Sequence, residues 1–374
     1  MPTTTARSPF YLKFSLSLLA LFLLGALVYI GKDILLPLFF AIVLAILLLP
    51  VSNFFERKGV PRVLAMLLSI LLALLFIGGI IYFLSAQVAG FMDDLPQIKE
   101  HLSKHISTVK EWISTQFKVS GKQQEQAVEE MSGNMKGSGS GMLGGALFSA
   151  VQGLVLLFLL PIYTFLIMYY RDLIRRFFID SFPERHHDKV QEVISESRQI
   201  VQGYMVGLLL ELAIVTGLNA AGFLVLGIEY AIFLAVLAAI LNMIPYVGML
   251  VATVICMGIT LTTSTDIADL IWVGAILIVV QFIDNNFIMP YVVSSKVKIN
   301  ALVSIVGVLV GGALAGVGGM FLSIPGVAIL KSIFERIDDL KPWGMLMGDA
   351  KDGQEKKPRT RRSRSKDAAP GNKP

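Results

Sequence analysis

The chain of 374 residues has a single cysteine, Cys256, four histidines, and a charged fraction of only 16%. One thiol inside an apolar run makes neither a disulfide framework nor a thiolate metal site. No Walker-type phosphate loop and no zinc-binding helix motif is found, which argues against ATP hydrolysis in this chain and against metalloprotease chemistry. No nucleophile stands with a matching base, so neither an enzyme nor a cofactor is expected. His101 and His105 have the i, i+4 spacing of a metal pair but lie on a lysine-rich segment without a third ligand, and no metal site is expected there. His186 and His187 are adjacent, point apart on a helix, and read as solvated surface. The small-residue cleavage site of a secretory signal is also missing after the apolar run that begins at Phe10.

Apolar residues are abundant. They make up 55% of the chain, with a mean hydropathy of +0.71, more than a soluble globular protein can bury. Several near-uncharged runs reach the roughly 20 residues that a helix needs to cross a bilayer. None alternates as a barrel strand does. The fold class expected is therefore an all-α polytopic membrane protein. The net charge of +5 gathers in loops and in the tail, where it orients the chain and implies no nucleic acid.

In order, residues 1–86 read as three transmembrane helices. The first two, 10–30 and 34–51, form a hairpin around the polar break Gly31-Lys32-Asp33, and the second carries Pro37 and Pro50. The basic turn from Glu56 to Arg62, with Arg7 and Lys13, places that turn and the N-terminus in the cytoplasm. Residues 87–141 mix both charges with apolar residues at helical spacing and end in a Gly/Ser linker, an amphipathic external helical segment. Residues 142–202 hold a fourth span, ending at Arg171, Arg175 and Arg176, and a cytoplasmic helix. Gly203 and Gly207 open the next span with small residues spaced for close helix contact, and Glu211 and Asn219 follow on it, near enough around the helix to line one cavity. The tail, 341–374, is basic and expected to be disordered, with anionic lipid as its partner.

The mechanism is expected in 203–340. The apolar runs 230–263 and 300–335 are each too long for one helix. The first is cut at Asn242-Met243-Ile244-Pro245-Tyr246-Val247-Gly248, the second at Gly311-Gly312 followed by Gly316, Gly318 and Gly319, with Pro325 beyond. As hairpins they give about six full spans plus two broken re-entrant elements, and put Lys296 and Lys298 in the cytoplasm with the tail. As single crossings they give eight spans. Charge favours the hairpins, and a span followed by a broken hairpin, twice in opposite orientation, is an inverted repeat. Between them lies Gln281 to Pro290, where Gln281, Asp284 and Asn285 share a helix face, Asn286 flanks it, and Pro290 breaks the helix. Intramembrane ionisable groups are costly and face a bundle interior or a cavity, so these residues, with Glu211, Asn219, Asn242 and Pro245, form the candidate ion or substrate pathway. Gly248, Gly316, Gly318, Gly319 and Pro325 are the candidate hinges or hairpin tips. Close packing of helices is the competing role for the glycines.

Those motifs, with the run through Leu36-Pro37 to Pro50 and Gly316-Val317-Gly318-Gly319-Met320 before Ile324-Pro325, resemble the AI-2E family of bacterial membrane proteins, named for export of the quorum-sensing signal autoinducer-2. The resemblance covers about residues 10–337. Gln281 matches the glutamine that precedes the acidic position in the family. The family's histidine-proline after the lysine-bearing loop is replaced here by Asn300-Ala301. The resemblance implies a cytoplasmic-membrane transporter, a homo-oligomer energised by ion gradients, moving a small polar solute with a proton or sodium ion. Some relatives look like sodium or proton antiporters. An oligomeric ion channel and a membrane scaffold are the readings from other classes.

Overall fold

The computed structural model describes residues 10–94, 158–293, 297 and 299–348. Outside these residues fall the external segment from 95 onward, the Gly/Ser linker, His101, His105, Lys296, Lys298 and the tail from residue 349. The described residues are mostly helical, with no strand among them, and contain five helices long and apolar enough to cross a membrane, beside shorter apolar ones.

The first helix, α1, runs unbroken from Phe10 to Arg57, 48 residues, which at 1.5 Å per residue is about 72 Å. This corrects the hairpin expected at Gly31-Lys32-Asp33. One glycine costs a helix only about 1 kcal/mol, and Lys32 lies over the Tyr29 ring three residues back, 5.0 Å from its centroid. A polar triplet is therefore helix surface here. Pro37 and Pro50 are both inside α1, as prolines are tolerated where neighbouring helices pack. A turn at Lys58–Pro61 leads into α2, Arg62–Asp93. The fourth span is described from Phe158 to Tyr169 as α3 and is followed by the ten-residue α4, Arg171–Asp180. Helix α5, His187–Val225, joins the polar stretch and the next span in one rod.

Two hairpins follow. Helices α6, Ala231–Asn242, and α7, Gly248–Thr263, are 12 and 16 residues long, about 18 and 24 Å, each short of the ~30 Å hydrocarbon core. They fold back antiparallel. The Cys256 thiol lies 3.7 Å from the Leu234 carbonyl, and a Cβ on Gly248 would stand 1.8 Å from the Leu241 carbonyl oxygen. Tyr246 takes the left-handed conformation at this tip, φ 64°. Asp266 then caps α8, Ile267–Ile283, by accepting from the Ala268 amide at 2.8 Å.

The second hairpin is α9, Ala301–Arg336, whose helix is interrupted at Ala315 and Gly316. Gly316, with φ 62° and ψ −147°, occupies a region open essentially to glycine alone. The arms meet at Gly311 with Gly319 and Ser323, at Gly312 with Met320, and at Gly307 with Val327. A straight helix would hold residues 307 and 327 about 30 Å apart, so the chain reverses here. Close packing of the glycines and a hairpin tip are thus the same feature. Pro325 is not at the tip; it is buried inside the second arm.

Helices α5 and α8 run antiparallel: Gly207 meets the Val292 carbonyl and Gly222 meets Ile276. A helix followed by a hairpin therefore occurs twice, with the leading helices inverted. The second tip seats on α1, where a Cβ on Gly318 would clash with Leu36 at 2.8 Å and Phe40 stacks on Phe321 at 5.7 Å. Its base is tied to α5, since Ser332 donates to Glu196 at 2.6 Å and Arg336 pairs with Glu196 at 2.5 Å and Glu192 at 3.2 Å. The tail begins later than expected, because Lys341–Met347 form a helix, α10. Asn300, standing where the resemblance has histidine, caps α9 through the Val303 amide at 2.9 Å and donates to the Leu346 carbonyl at 2.6 Å.

Candidate functional site

At the first hairpin tip, the chain brings together groups far apart in sequence. Glu211 on α5 and Asp284 at the end of α8 are 7% and 2% exposed. Asn242, the last residue of α6, reaches between them. Its Nδ2 donates to Glu211 Oε1 at 3.2 Å and to Asp284 Oδ2 at 3.0 Å. Gln281 Nε2 donates to Asp284 Oδ2 at 3.4 Å and to Asn285 Oδ1 at 3.0 Å. Asp284 Oδ1 is buried with no partner, and so is Asn219 Oδ1.

Local backbone explains the placement. From Asp284 to Val293 the chain winds as a π-helix containing Pro290, so the expected break at the proline is instead a widening that starts six residues earlier. The proline ring cannot fit over the carbonyl four residues back, and i→i+5 winding relieves that clash. Such segments are frequent at functional sites. The close crossing of Gly207 under Val292 brings α5 against this segment, which sets Glu211 opposite Asp284.

Not every candidate residue converges. Asn285 and Asn286 are exposed, and the Asn286 amide is spent on the Phe282 carbonyl at 2.8 Å. Pro245 helps shape the tip without a polar role. Asn219 lines a small cavity of about 10 Å³ with Asn242, Gln281, Thr253 and Met249, while Glu211 is not part of its lining and is bonded to Asn242, which is. Thr253 escaped sequence reasoning because a lone threonine in an apolar helix carries no pattern. The second tip adds no polar side chain, but Met243 of the first tip shares one apolar cluster with Met320 and Phe321 of the second.

Chemically, two carboxyl groups surround one neutral amide in a buried site. Among the described residues no lysine, arginine or histidine pairs with either of them. Burying two unpaired carboxylates costs several kcal/mol each after relaxation, so the site calls for a proton or a cation as counter-charge. The adjacent cavity has room for one water or one bare ion and is far too small for an organic solute in this conformation. Asn242 is the hinge of this chemistry. Asn242→Ala is expected to lower stability by about 1–3 kcal/mol by stripping buried acceptors of their donor, and the loss should shrink when Asp284→Asn is added. Thermal unfolding of the single and double variants in detergent measures both; equal losses would rule out the bridging role.

Buried acids beside the tip of a broken helical hairpin, among helices long and apolar enough to cross a membrane, are an arrangement expected of membrane transport proteins. Comparison with known sequences agrees. The model of the AI-2E family transporter matches residues 16–339, and the chain belongs to that family. It is 26% identical over 314 residues to YrrI of Bacillus subtilis, named as a transport protein, covering 80% of this chain and 85% of that one. It is 24% identical over 336 residues to YhhT of Escherichia coli, also named as a transport protein, covering 89% and 93%. A shorter match, 26% over 155 residues, links it to PerM of Escherichia coli, named as a permease, covering 41% and 44%.

Proposed function

We propose that this protein is a secondary active transporter of the bacterial inner membrane that exports a small polar solute such as autoinducer-2, driven by a proton or sodium gradient. The observation that carries the reading is the buried Glu211–Asn242–Asp284 bridge. Asp284 is the coupling group: it takes up a proton or sodium ion from one side and releases it to the other, and Glu211 shares the charge. Asn242 reports the state of the pair to the hairpin tip, so loading or unloading the acids biases the tip between docked and open. The tightness of the cavity supports alternating access over a standing pore, because a conducting channel needs a continuous polar conduit. Gradient-driven flux in proteoliposomes, with and without Asp284→Asn, is the test.

The proposal also places the Lys58–Pro61 turn, the Arg171 to Arg176 cluster and the C-terminus in the cytoplasm, following the positive-inside rule. The cytoplasmic N-terminus depended on a hairpin that α1 does not make, and it is not carried over. The base of the first hairpin then faces outward, together with the end of α2, to which Tyr230 is bonded through Asp94. That bond, reinforced by burial, pushes the Tyr230 hydroxyl up to about 12. A cysteine at Asp266, in a variant lacking Cys256, should react with an impermeant thiol reagent in intact cells; protection there with labelling only after lysis reverses the orientation. Anionic lipid on the basic tail and assembly into a homo-oligomer complete the reading.

A further inference from the structure

Helix α4 orients the chain in the transport reading but has no part in coupling or in the solute path. It is ten residues long, about 15 Å, and too short to cross a bilayer. The backbone leaves helical geometry at Tyr170, φ −89° and ψ 11°, between α3 and α4, so α4 starts where an apolar span ends. At 100° per residue, Leu173, Ile174, Phe177 and Phe178 fall on a single face roughly 140° wide, and Arg171, Asp172, Arg175, Arg176 and Asp180 fall on the other half. The four apolar side chains are all exposed, Phe177 by 66% and Leu173 by 62%. Ile179, the one apolar residue on the charged half, is half-buried.

The charged half faces the turn between α1 and α2. Asp172 pairs with Arg62 at 3.0 Å, and Arg171 reaches the Asn53 side chain at 3.5 Å. Asp172 is thereby neutralised. Arg175 and Arg176 are exposed and make no ion pair among the described residues. Tyr169, Tyr170 and Phe182 flank the helix, exposed by 45%, 47% and 48%.

We propose that α4 is an interfacial helix that lies in the headgroup layer of the membrane, with Leu173, Ile174, Phe177 and Phe178 in the acyl boundary and Arg175 and Arg176 on the phosphates of anionic phospholipids. An apolar face with arginines on the opposite half is the signature of such helices. The flanking tyrosines match the aromatic belt at membrane interfaces. The occupant is the bilayer surface rather than a protein groove, because α4 continues from a span whose end is fixed at the same depth, and because its charges outside the Asp172–Arg62 pair are net positive, Arg171, Arg175 and Arg176 against Asp180. Through its packing on α5, the bound lipid would hold the cytoplasmic end of the helix that carries Glu211.

The test uses the full chain in nanodiscs of phosphatidylcholine and phosphatidylglycerol, in a Cys256→Ala background, with nitroxide labels on single cysteines from 173 to 180. Labels at 173, 174, 177 and 178 should be accessible to oxygen and shielded from a water-soluble nickel chelate, at a depth of roughly 5–10 Å below the headgroups. Labels at 175 and 176 should show the reverse. Equal nickel accessibility at every position overturns the proposal, as does spin–spin broadening at 173 and 177, which would mean that a second copy covers the face. In unlabelled protein, Arg175→Gln and Arg176→Gln should each weaken the preference for co-purified phosphatidylglycerol over phosphatidylcholine about fivefold. An unchanged ratio removes the anionic lipid from the assignment. Both readouts are independent of transport, so they fail or succeed apart from the proposed coupling role of Asp284.

Discussion

Asp284→Asn reduces gradient-driven flux in proteoliposomes to the level of empty vesicles, while the protein remains folded and inserted. The substitution keeps the size of the side chain and an acceptor for the Asn242 amide, so the bridge to Glu211 can persist in outline. It removes the only group at that position able to exchange a proton or bind a cation electrostatically. A buried carboxylate without a cationic partner is also a cost to the fold. Its neutral isostere should therefore melt at the same temperature as the wild type or above it. Lost transport with retained or raised thermal stability is the signature of a coupling residue. Wild-type flux in the variant would sink the assigned role. Lost flux with a fall in melting temperature would point instead to a structural polar bridge.

The largest structural effects are expected at two glycines of the hairpins. A Cβ on Gly248 would stand 1.8 Å from the Leu241 carbonyl oxygen, and one on Gly319 would stand 2.0 Å from the Gly311 carbonyl oxygen. In both cases the obstacle is backbone of the opposing arm, which cannot rotate away as a side chain can. Either alanine must pry its hairpin apart at the tip, at a cost at or above the usual ~1–3 kcal/mol of overpacking. Gly258 and Gly326, where an added methyl would meet nothing within 4 Å, are the controls. Thermal unfolding in detergent should separate the two pairs. If Gly248→Ala and Gly319→Ala melt like Gly258→Ala and Gly326→Ala, the tips are open and the tight reversals are wrong.

Much of this was legible in the residues. Uncharged runs above spanning length dictate transmembrane helices, because a backbone in hydrocarbon must satisfy its own hydrogen bonds. The interruptions at Asn242 to Gly248 and at Gly311 to Gly319 mark broken helices, because proline and glycine weaken helical winding. The acid at position 284 stands out for its cost alone. The failures are equally physical. Gly31-Lys32-Asp33 looks like a turn by polarity, but lysine and aspartate are tolerated on a helix surface, and one glycine is a small penalty against a long rod. Pro290 marks a disturbance without saying that the helix widens rather than stops. Residues 341–347 look like the start of a tail, but they fold as a helix against α9, where Gly344 meets Glu335 and Asn300 bonds the Leu346 and Met347 carbonyls.

By itself, the sequence determined the class of fold and the family, since hydropathy and helix breaking are local properties summed over a few turns. Tertiary structure decided which of the grouped candidates touch: Glu211, Asn242 and Asp284 do, while Asn285 and Asn286 are exposed. Glu211, Asn242 and Asp284 sit on three elements with no common periodicity, and they meet because Gly207 admits the Val292 backbone and because α6 ends at the depth of both carboxylates. Distance in space depends on crossing points and arm lengths, and neither is written in any one stretch of the chain.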